Sequence, residues 1–408
     1  MKRVLMVAFH FPPFSGGSGI QRTLRFVQHL PKMGWQPIVV SADPHAYPKT
    51  SLDLMGEIPE GTIVQRAYAL DTARHCSLWG HYPRWMAVPD RWISWRADAI
   101  RRGIRLIKEY QPDVIWSTYP IATAHLIGAE LQRRSGLPWV ADFRDPMAQD
   151  DYPTDLTTWN SFKRIEESAM RQAVFCVFTT PGAARTYRNR YPFMEDCIHV
   201  IENGFDEDSF AGINRNKRVL KLGTITLLHS GIVYPSERDP TQFFAALAQV
   251  HQHAFGQRLR IRFRAAVHEE ILTDLAAKYG VQDMIELCPP LTYRSALVEM
   301  LCADGLLLMQ AANCNDQIPA KFYEYLRANR PILGLTDSDG DTANALHRAG
   351  IHTIAPLDSV ADIAALLPRF VMGVINSTAD LPFPQAVKDA SRQARAKQLA
   401  GLLDSVTL

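Results

Sequence analysis

The stretch Asn315–Leu335, NDQIPAKFYEYLRANRPILGL, has the pattern of a loop, a helix, a tight turn and a buried strand. Pro319 suits the first turn of a helix, where its missing N–H costs nothing, and apolar side chains then recur at helical spacing. The residue before Pro331 is pushed out of the α region, so the helix is predicted to end there. The apolar run that follows is typical of a strand buried on both faces of a sheet.

Two charged side chains lie at the front of this predicted helix. Lys321 is a cation in the first turn, where the helix dipole disfavours it, so its position suggests that an anion shares the site. Glu324 follows one turn later and could accept hydrogen bonds from ribose hydroxyls. The alternative is an ordinary amphipathic helix with a solvated lysine and glutamate, and this segment alone does not decide between the two.

The length and composition are those of a globular protein with more than one core. A chain of 408 residues predicts two domains, and its apolar content of 47% and charged content of 21% are ordinary. The formal net charge of +2 argues against a dedicated nucleic-acid binder. The six cysteines are scattered without a C-x-x-C pair, which favours reduced thiols in a cytosolic protein over a disulfide or zinc framework. No apolar run reaches the roughly 18 residues of a membrane-spanning helix.

Each half of the chain begins with a predicted strand, a glycine-containing loop and a helix. The first loop contains Gly16 and Gly17, and the second contains Gly231 and leads to Arg238. Such a loop lets backbone amides approach a phosphate, and an arginine there could hold a diphosphate by two hydrogen bonds. The alternatives are a plain turn and a surface arginine paired with Glu237 or Asp239. Neither loop has the G-x-G-x-x-G spacing, which disfavours an NAD-dependent oxidoreductase.

The alternation of strands and helices predicts parallel sheets with helices on both faces. A strand predicted over residues 137–141 ends in Asp142, Phe143, Arg144 and Asp145. Ligands of open α/β sheets collect at the carboxyl ends of strands, so these three charged residues are candidates for an active site. An arginine–aspartate ion pair that stiffens a loop is the alternative.

Residues 72–108 interrupt the alternation. They contain four tryptophans, seven arginines, one lysine and two aspartates. Basic and aromatic residues together suit an anionic membrane surface or a lipid-linked phosphate acceptor. The alternative is an insertion whose aromatic side chains pack on the domain while its arginines are solvated, and the absence of a single helical stripe of tryptophans favours it.

The stretch Asn315–Leu335 closely resembles the nucleotide-sugar signature of the family-4 glycosyltransferases, which are retaining enzymes of the GT-B fold. That family has two acidic residues eight positions apart, matched here by Asp316 and Glu324, although the first is usually glutamate. The resemblance implies that Asp316 acts on the donor sugar, that Glu324 holds the ribose and that Lys321 lies near the diphosphate.

The resemblance extends over nearly the whole chain. The family's Gly-Gly loop, matched by Gly16 and Gly17, borders the donor phosphate and the acceptor. The loop of the second half usually supplies two cations, and here Ile232 replaces the first, so that only Arg238 is carried over. Many members have a histidine near Arg144; this chain has a D-x-R-D form instead, and Asp142, Arg144 and Asp145 are candidates without assigned parts.

The resemblance implies an α/β chain of the GT-B fold, with two Rossmann-like α/β/α domains that face each other across a cleft. We expect an acceptor-binding domain over residues 1–205 and a nucleotide-sugar-binding domain over residues 206–385. A single last helix is predicted over Gln385–Leu403, within a segment 386–408 that crosses back to the first domain.

The implied activity is that of a hexosyltransferase (EC 2.4) that moves a sugar from a nucleotide-sugar donor to a glycan or lipid-linked acceptor, with retention of configuration and without a metal or another cofactor. Synthesis of a cell-surface polysaccharide or glycolipid is the expected setting, in the cytoplasm and with a peripheral membrane contact through residues 72–108. No nucleic-acid partner is expected.

Two alternatives to a transferase stay open at this point. A GT-B nucleotide-sugar epimerase would use carboxylates such as Asp142 and Asp145 for proton or elimination chemistry. A catalytically inactive scaffold that binds a nucleotide or a partner would tolerate the departures from the family pattern at Asp316 and Ile232.

Overall fold

A computed structural model describes residues 1–16, 19–150, 152–213, 220 and 223–407. The chain divides into two compact units, which we describe separately. Unit 1 comprises Met1–Asn203 and Arg392–Leu408, and unit 2 comprises Gly204–Ser391.

The strands follow one another with helices between them, as the alternation in the sequence predicts. In chain order the strands of the described residues are β1 (Lys2–Val7), β2 (Trp35–Ala42), β3 (Ile63–Ala67), β4 (Val114–Thr118), β5 (Trp139–Arg144), β6 (Phe175–Phe178), β7 (Ile198–Val200), β8 (Ile225–Ser230), β9 (Leu259–Arg264), β10 (Ile285–Cys288), β11 (Gly305–Met309), β12 (Ile332–Leu335) and β13 (Ile354–Ala355). The α-helices are α1 (Gly19–His29), α2 (Thr72–His75), α3 (Trp95–Tyr110), α4 (Thr123–Ser135), α5 (Leu156–Gln172), α6 (Pro181–Arg190), α7 (Glu207–Phe210), α8 (Thr241–Val250), α9 (Glu269–Tyr279), α10 (Tyr293–Cys302), α11 (Lys321–Ala328), α12 (Asp341–Arg348), α13 (Val360–Ile375), α14 (Pro384–Asp389) and α15 (Arg392–Ser405).

Within the described residues, unit 1 contains a seven-stranded sheet in the order β3-β2-β1-β4-β5-β6-β7, and every pairing is parallel. Its central strands β1 and β4 are apolar runs that are almost wholly buried, because helices cover both faces of the sheet. The carboxyl ends of β1, β4 and β5 are neighbours at one edge of the sheet. The loops that follow these strands therefore bring distant parts of the sequence together.

The last helix belongs to unit 1. Ala396, Leu399 and Leu403 of α15 are buried in the same apolar cluster as Val4 and Trp35. The single helix expected over Gln385–Leu403 is in fact two helices, α14 and α15. The break between them is at Ala390 and Ser391, and Phe205 pairs with this short segment.

Unit 2 contains, in its described part, a six-stranded parallel sheet in the order β10-β9-β8-β11-β12-β13. The stretch Asn315–Leu335 forms α11 and β12, and every residue of β12 is buried. Asn329 ends the helix in the left-handed region at a φ of 53°, two residues before Pro331. The prediction of a helix, a tight turn and a buried strand is therefore confirmed.

The aromatic residues of 72–108 divide into two groups. Trp95 is fully buried, and Trp92 packs on Phe9 with a ring-centroid distance of 4.8 Å, as an insertion that packs on its domain requires. Trp79 and Trp85 are instead 93% and 75% exposed. Among the described residues, no helix is long and apolar enough to cross a membrane.

Candidate active site

In unit 2 the predicted site residues converge at the carboxyl end of β8. The strand leads into Gly231, whose φ of +119° is a conformation that glycine adopts readily. A Cβ at this position would lie 3.0 Å from Nζ of Lys321, in the first turn of α11. Glycine is therefore needed here both for the backbone turn and for the close approach of the lysine.

A buried histidine fixes the position of this lysine. Nε2 of His229, at the end of β8, lies 3.2 Å from Lys321 Nζ, and its Nδ1 lies 3.1 Å from the carbonyl oxygen of Leu307. Burial and then the Lys321 cation hold the pKa of His229 well below its usual value, so the ring is neutral. Nδ1–H then donates to Leu307, and Nε2 accepts from the lysine.

The sequence pattern does not single out His229. The available signal is its place, one residue before a serine and a glycine at the end of a predicted strand.

Two features of its surroundings act on Lys321: its burial and a second cation nearby. Burial, followed by the nearby Arg238 guanidinium, lowers the pKa of Lys321 to about 7, and the Glu324 carboxylate opposes this shift. An anion placed next to Lys321 would favour its charged form and reverse the shift. The site is thus poised to take up a negatively charged group together with a proton.

Arg238 has hydrogen-bonding capacity that the protein does not use. Its Nη1 donates to the carbonyl oxygen of Ile232 at 3.1 Å, whereas its buried Nε has no hydrogen-bond partner. The ion pair with Glu237 is long, at 3.9 Å. The ion pair with Glu237 therefore neutralises Arg238 only weakly, and the guanidinium can still bind an oxyanion.

The backbone at the start of α11 contributes less than the sequence suggests. The amides of Phe322 and Tyr323 donate to the carbonyls of Pro319 and Ala320, at 2.9 and 3.3 Å. These amides are already used in a tight turn. The positive charge that unit 2 offers to an anion therefore comes mainly from the side chains of Lys321 and Arg238.

Glu324 lies one turn into α11 and is partly exposed. The hydroxyl of Tyr293, at the start of α10, donates to Glu324 Oε1 at 2.8 Å and so orients the carboxylate. Tyr293 is another residue to which the sequence pattern does not point. Asp316 is exposed in the loop before α11.

A cavity of about 330 Å³ in unit 2 is lined by Asp239, which follows Arg238 in sequence, and by Gln310 and Asp337, among others. The amide nitrogen of Gln310 donates to the carbonyls of Cys314 and Gln317, at 2.9 and 3.1 Å. Its Oε1 is buried without a hydrogen-bond partner. A buried acceptor of this kind is expected to meet a donor on a ligand or a water.

In unit 1, Asp142 is engaged by the protein itself. The carboxylate is fully buried and accepts two hydrogen bonds from Arg22, at 2.8 and 2.9 Å, and one from the hydroxyl of Thr118, at 2.9 Å. Arg22 also donates to the carbonyl oxygens of Ile201 and Glu202. The aspartate is thus part of a structural ion pair, but its partner is Arg22 of α1 and not the adjacent Arg144.

Arg144 ends β5 in an unusual conformation. Its φ is +63°, the pairing of β5 with β6 shifts register between Asp142 and Arg144, and Thr179 donates to the Arg144 carbonyl at 2.8 Å through both its amide and its hydroxyl. This bulge turns the buried side chain toward α1. Asp145 is exposed and accepts a long hydrogen bond of 3.3 Å from the Thr179 hydroxyl.

The remaining predicted residues lie in the loop before α1. Gly16 has a φ of +102°, as expected for a glycine in a tight loop. Gly17 lies outside the described residues. Asp142, Arg144 and Asp145 thus lie at the end of β5 in unit 1, whereas Lys321 and Arg238 lie close together in unit 2, with Glu324 one turn further along α11.

Comparisons with known proteins bear on the family and the fold. Residues 18–209, slightly less than half of the chain, match the model of Glycosyltransferase Family 4. A search of curated proteins gave no significant match.

Solved structures match over the whole chain. HepE of Anabaena in complex with UDP superposes with a TM-score of 0.69 at 13% identity, over 99% of this chain and 100% of HepE. A glycosyltransferase of Rickettsia africae gives a TM-score of 0.67 at 12% identity, over 99% of this chain and 98% of the other. Sucrose-phosphate synthase of Thermosynechococcus elongatus gives 0.64 at 13% identity, over 100% and 99% of the two chains. The chain therefore has the GT-B fold of these structures, and its residues 18–209 match the model of Glycosyltransferase Family 4.

Proposed function

We propose that the protein transfers a hexose from a nucleoside-diphosphate sugar to a hydroxyl group of a glycan or lipid-linked acceptor, with retention of configuration. The observation that carries this proposal is the pair of nearby cations Lys321 and Arg238. Lys321 lies beside Gly231 at the end of β8, and the buried Nε of Arg238 has no hydrogen-bond partner among the described residues. HepE, a structural neighbour, is seen with UDP and with UDP-glucose, which supports a uridine nucleotide as the first donor to test.

The reaction breaks the bond between the anomeric carbon and the diphosphate oxygen and forms a bond to the acceptor oxygen, with loss of the hydroxyl proton. Negative charge then develops on the departing nucleoside diphosphate. Preorganised donors in a water-poor site stabilise such charge strongly. Lys321 and Arg238 are placed to do this, and we propose that they take the part that a metal ion has in other transferases.

Further parts of unit 2 would hold the rest of the donor. Glu324, oriented by Tyr293, would accept hydrogen bonds from the ribose hydroxyls. The cavity lined by Asp239 and Gln310, with the unpaired Oε1 of Gln310, has the size and polarity to receive the base. We propose Asp316 as a contact of the donor sugar, and Gly16 and Gly17 as backbone contacts of the donor phosphate.

The structure gives less support to an epimerase. Such an enzyme would need free carboxylates at the reacting sugar, and Asp142 is instead fully engaged by Arg22 and Thr118. We therefore propose that Asp142 supports the loop after β5, while Arg144 and Asp145 are the members of this group that are available to a substrate.

Calorimetric titration with UDP, GDP, ADP and NAD tests the donor site. We expect one nucleoside diphosphate to bind, and we expect Glu324→Ala to weaken it roughly 10- to 100-fold, because a charged hydrogen-bond acceptor for the ribose is lost. The 2′,3′-dideoxy form of the same nucleotide lacks the ribose hydroxyls, so it should bind the variant and the original protein equally. Glu270→Ala, which changes an exposed glutamate of α9, is the matched control.

Binding of none of the nucleotides would contradict the donor site. Turnover of the nucleotide sugar, measured with and without acceptors, then separates the remaining functions. A transferase requires the acceptor, an epimerase does not, and a scaffold shows no turnover. The configuration of the product at the anomeric carbon, observed by NMR, tests retention.

Nucleotide binding should take up a proton. Free Lys321, with a pKa of about 7, is only about one-tenth protonated at pH 8, and the bound diphosphate raises this pKa. Affinity is therefore expected to be greatest below pH 7 and to fall as the pH rises through 7. Calorimetry at pH 8 in two buffers of different ionisation enthalpy should show net proton uptake on binding.

The variant Lys321→Arg is the control for this proton uptake, because arginine keeps its charge throughout the range. This variant should still bind the nucleotide, but its binding enthalpy should no longer depend on the buffer. If the enthalpy of nucleotide binding to the original protein were the same in both buffers, this result would contradict the assignment of Lys321 as the group that takes up the proton.

We also propose that the enzyme acts at the cytoplasmic face of a membrane, in the synthesis of a cell-surface polysaccharide or glycolipid. Within residues 72–108, Leu78, Trp79 and Trp85 expose 75% or more of their surface, and Arg84 lies beside them in sequence. Eight cationic and two acidic side chains in this segment favour an anionic lipid surface.

Sedimentation with lipid vesicles tests the membrane contact. The double variant Trp79→Ser/Trp85→Ser should bind vesicles that contain anionic lipid at least about tenfold more weakly, because two large apolar side chains no longer enter the interface. Phe193→Ser changes another exposed aromatic residue of unit 1 and should have no effect. Equal binding of the original protein and the tryptophan variant would refute the contact.

A further inference from the structure

Unit 1 contains a buried arginine that forms no ion pair with a carboxylate of the described residues. Arg144 is only 9% exposed, and its guanidinium makes one hydrogen bond to the described residues, from Nη1 to the carbonyl oxygen of Tyr119 at 3.2 Å. Its buried Nε has no hydrogen-bond partner. No carboxylate of the described part of the chain lies within ion-pair distance of this guanidinium, although Asp142 and Asp145 flank it in sequence.

Burial lowers the pKa of Arg144 although the carboxylates of Asp145 and Asp142 act against this shift, so an anion bound directly to the guanidinium would stabilise its charge. The contrast with Arg22 is direct, because Arg22 uses its Nε and Nη2 to hold both oxygens of Asp142. The same edge of Arg144 makes no hydrogen bond to the described residues. An arginine that presents this edge is suited to a planar carboxylate or to two oxygens of a phosphate.

Two further groups converge on the same place. A Cβ on Gly19, the first residue of α1, would lie 2.8 Å from both Arg144 Nη1 and His10 Nδ1. The imidazole of His10 stacks on Phe14, with ring centroids 4.3 Å apart, and its buried Nδ1 has no hydrogen-bond partner. Arg144 and His10, each with a buried nitrogen that has no hydrogen-bond partner among the described residues, thus meet at the positive end of an 11-residue helix that has no acidic residue in its first turn.

We propose that His10, Gly19 and Arg144 form a site for an oxyanion, a carboxylate or a phosphate, that is carried by the acceptor. This inference rests on the proposed function, because it takes unit 1 as the acceptor-binding unit. Unit 2 already supplies Lys321 and Arg238 for the diphosphate of the donor, so the charge of Arg144 is available for a different anion. The acceptor class is then an anionic glycan or a phosphorylated, lipid-linked sugar rather than a neutral sugar.

Ligand-observed NMR titrations of the full chain test this site, with glucuronate, glucose 6-phosphate and glucose as probes. Excess UDP is present throughout, so that the cations of unit 2 are occupied. We expect one or both charged sugars to bind, with glucose binding at least tenfold more weakly. The relative affinity of glucuronate and glucose 6-phosphate then identifies the carboxylate or the phosphate as the natural group.

Arg144→Gln removes the charge and should weaken the charged sugars roughly 10- to 100-fold, without changing the affinity for glucose. Gly19→Ala, which fills the place where Arg144 and His10 meet, should do the same. All eight tryptophans of the chain lie in unit 1, so their fluorescence shows whether each variant has folded.

Calorimetry with UDP on the same proteins distinguishes the acceptor from the donor. We expect UDP to bind Arg144→Gln within about twofold of its affinity for the original protein. A parallel loss of UDP affinity would overturn the proposal, because the site would then serve the donor diphosphate. Binding of the charged sugars that is the same in both variants and the original protein would also overturn it. Failure of UDP to bind the original protein would instead contradict the donor function, which leaves the two hypotheses separable.

Discussion

Replacement of Lys321 by methionine is expected to lower kcat/KM for the sugar transfer roughly 10²- to 10³-fold. The ammonium lies 3.2 Å from His229 Nε2 and next to Gly231, at the place where we propose that the diphosphate leaves. Negative charge on the leaving group increases as the reaction proceeds. The loss should therefore appear more in kcat than in KM, because the lysine stabilises the transition state more than the bound donor.

The matched control for this prediction is Lys388→Met, which changes an exposed lysine of α14 in the same unit. It should leave kcat/KM unchanged. Initial rates at pH 6.5, where Lys321 is mostly protonated, give the comparison. A kcat/KM of Lys321→Met within threefold of the original would show that the lysine does not bear the leaving group's charge and would undo the site assignment in unit 2.

The variant Asp142→Asn is expected to destabilise unit 1 by roughly 3–5 kcal/mol. The substitution leaves the guanidinium of Arg22 buried, at 2% exposure, without its counter-ion. Because all eight tryptophans lie in unit 1, the shift of the urea midpoint followed by tryptophan fluorescence reports this unit alone. A separate measurement of UDP affinity reports whether unit 2 remains folded.

Two further variants show whether the loss comes from the broken ion pair. Glu109→Gln changes an exposed ion pair of the same unit, with Arg105 at 4.0 Å, and should shift the midpoint little. The double variant Arg22→Met/Asp142→Leu removes both charges, and it should lose clearly less than the sum of the two single changes. Additive losses would contradict the pairing, and a midpoint of Asp142→Asn equal to that of the original protein would show that the buried pair is not important for stability.

The parallel α/β fold was predictable because its signals are local. Pro331 and the apolar run after it define the end of α11 and the start of β12 from neighbouring residues alone. A glycine loop between a strand and a helix likewise marks each half of the chain. The break between α14 and α15 was not predictable in this way, since a continuous helical pattern runs across it and the pairing of this segment with Phe205 lies far away in sequence.

The sequence by itself determined the strand–helix alternation and the placement of Lys321 and Glu324 at the front of a helix, since both depend on residues within a few turns of one another. The tertiary structure alone decided the partners of the charged groups. His229 meets Lys321 across 92 positions, and Asp142 pairs with Arg22 across 120. Such pairs form because the order of the strands brings loops from distant parts of the chain to one edge of a sheet. The same order leaves Arg144 buried without an ion pair to any carboxylate in the part of the chain that the structure describes, which no local pattern in D-x-R-D could indicate.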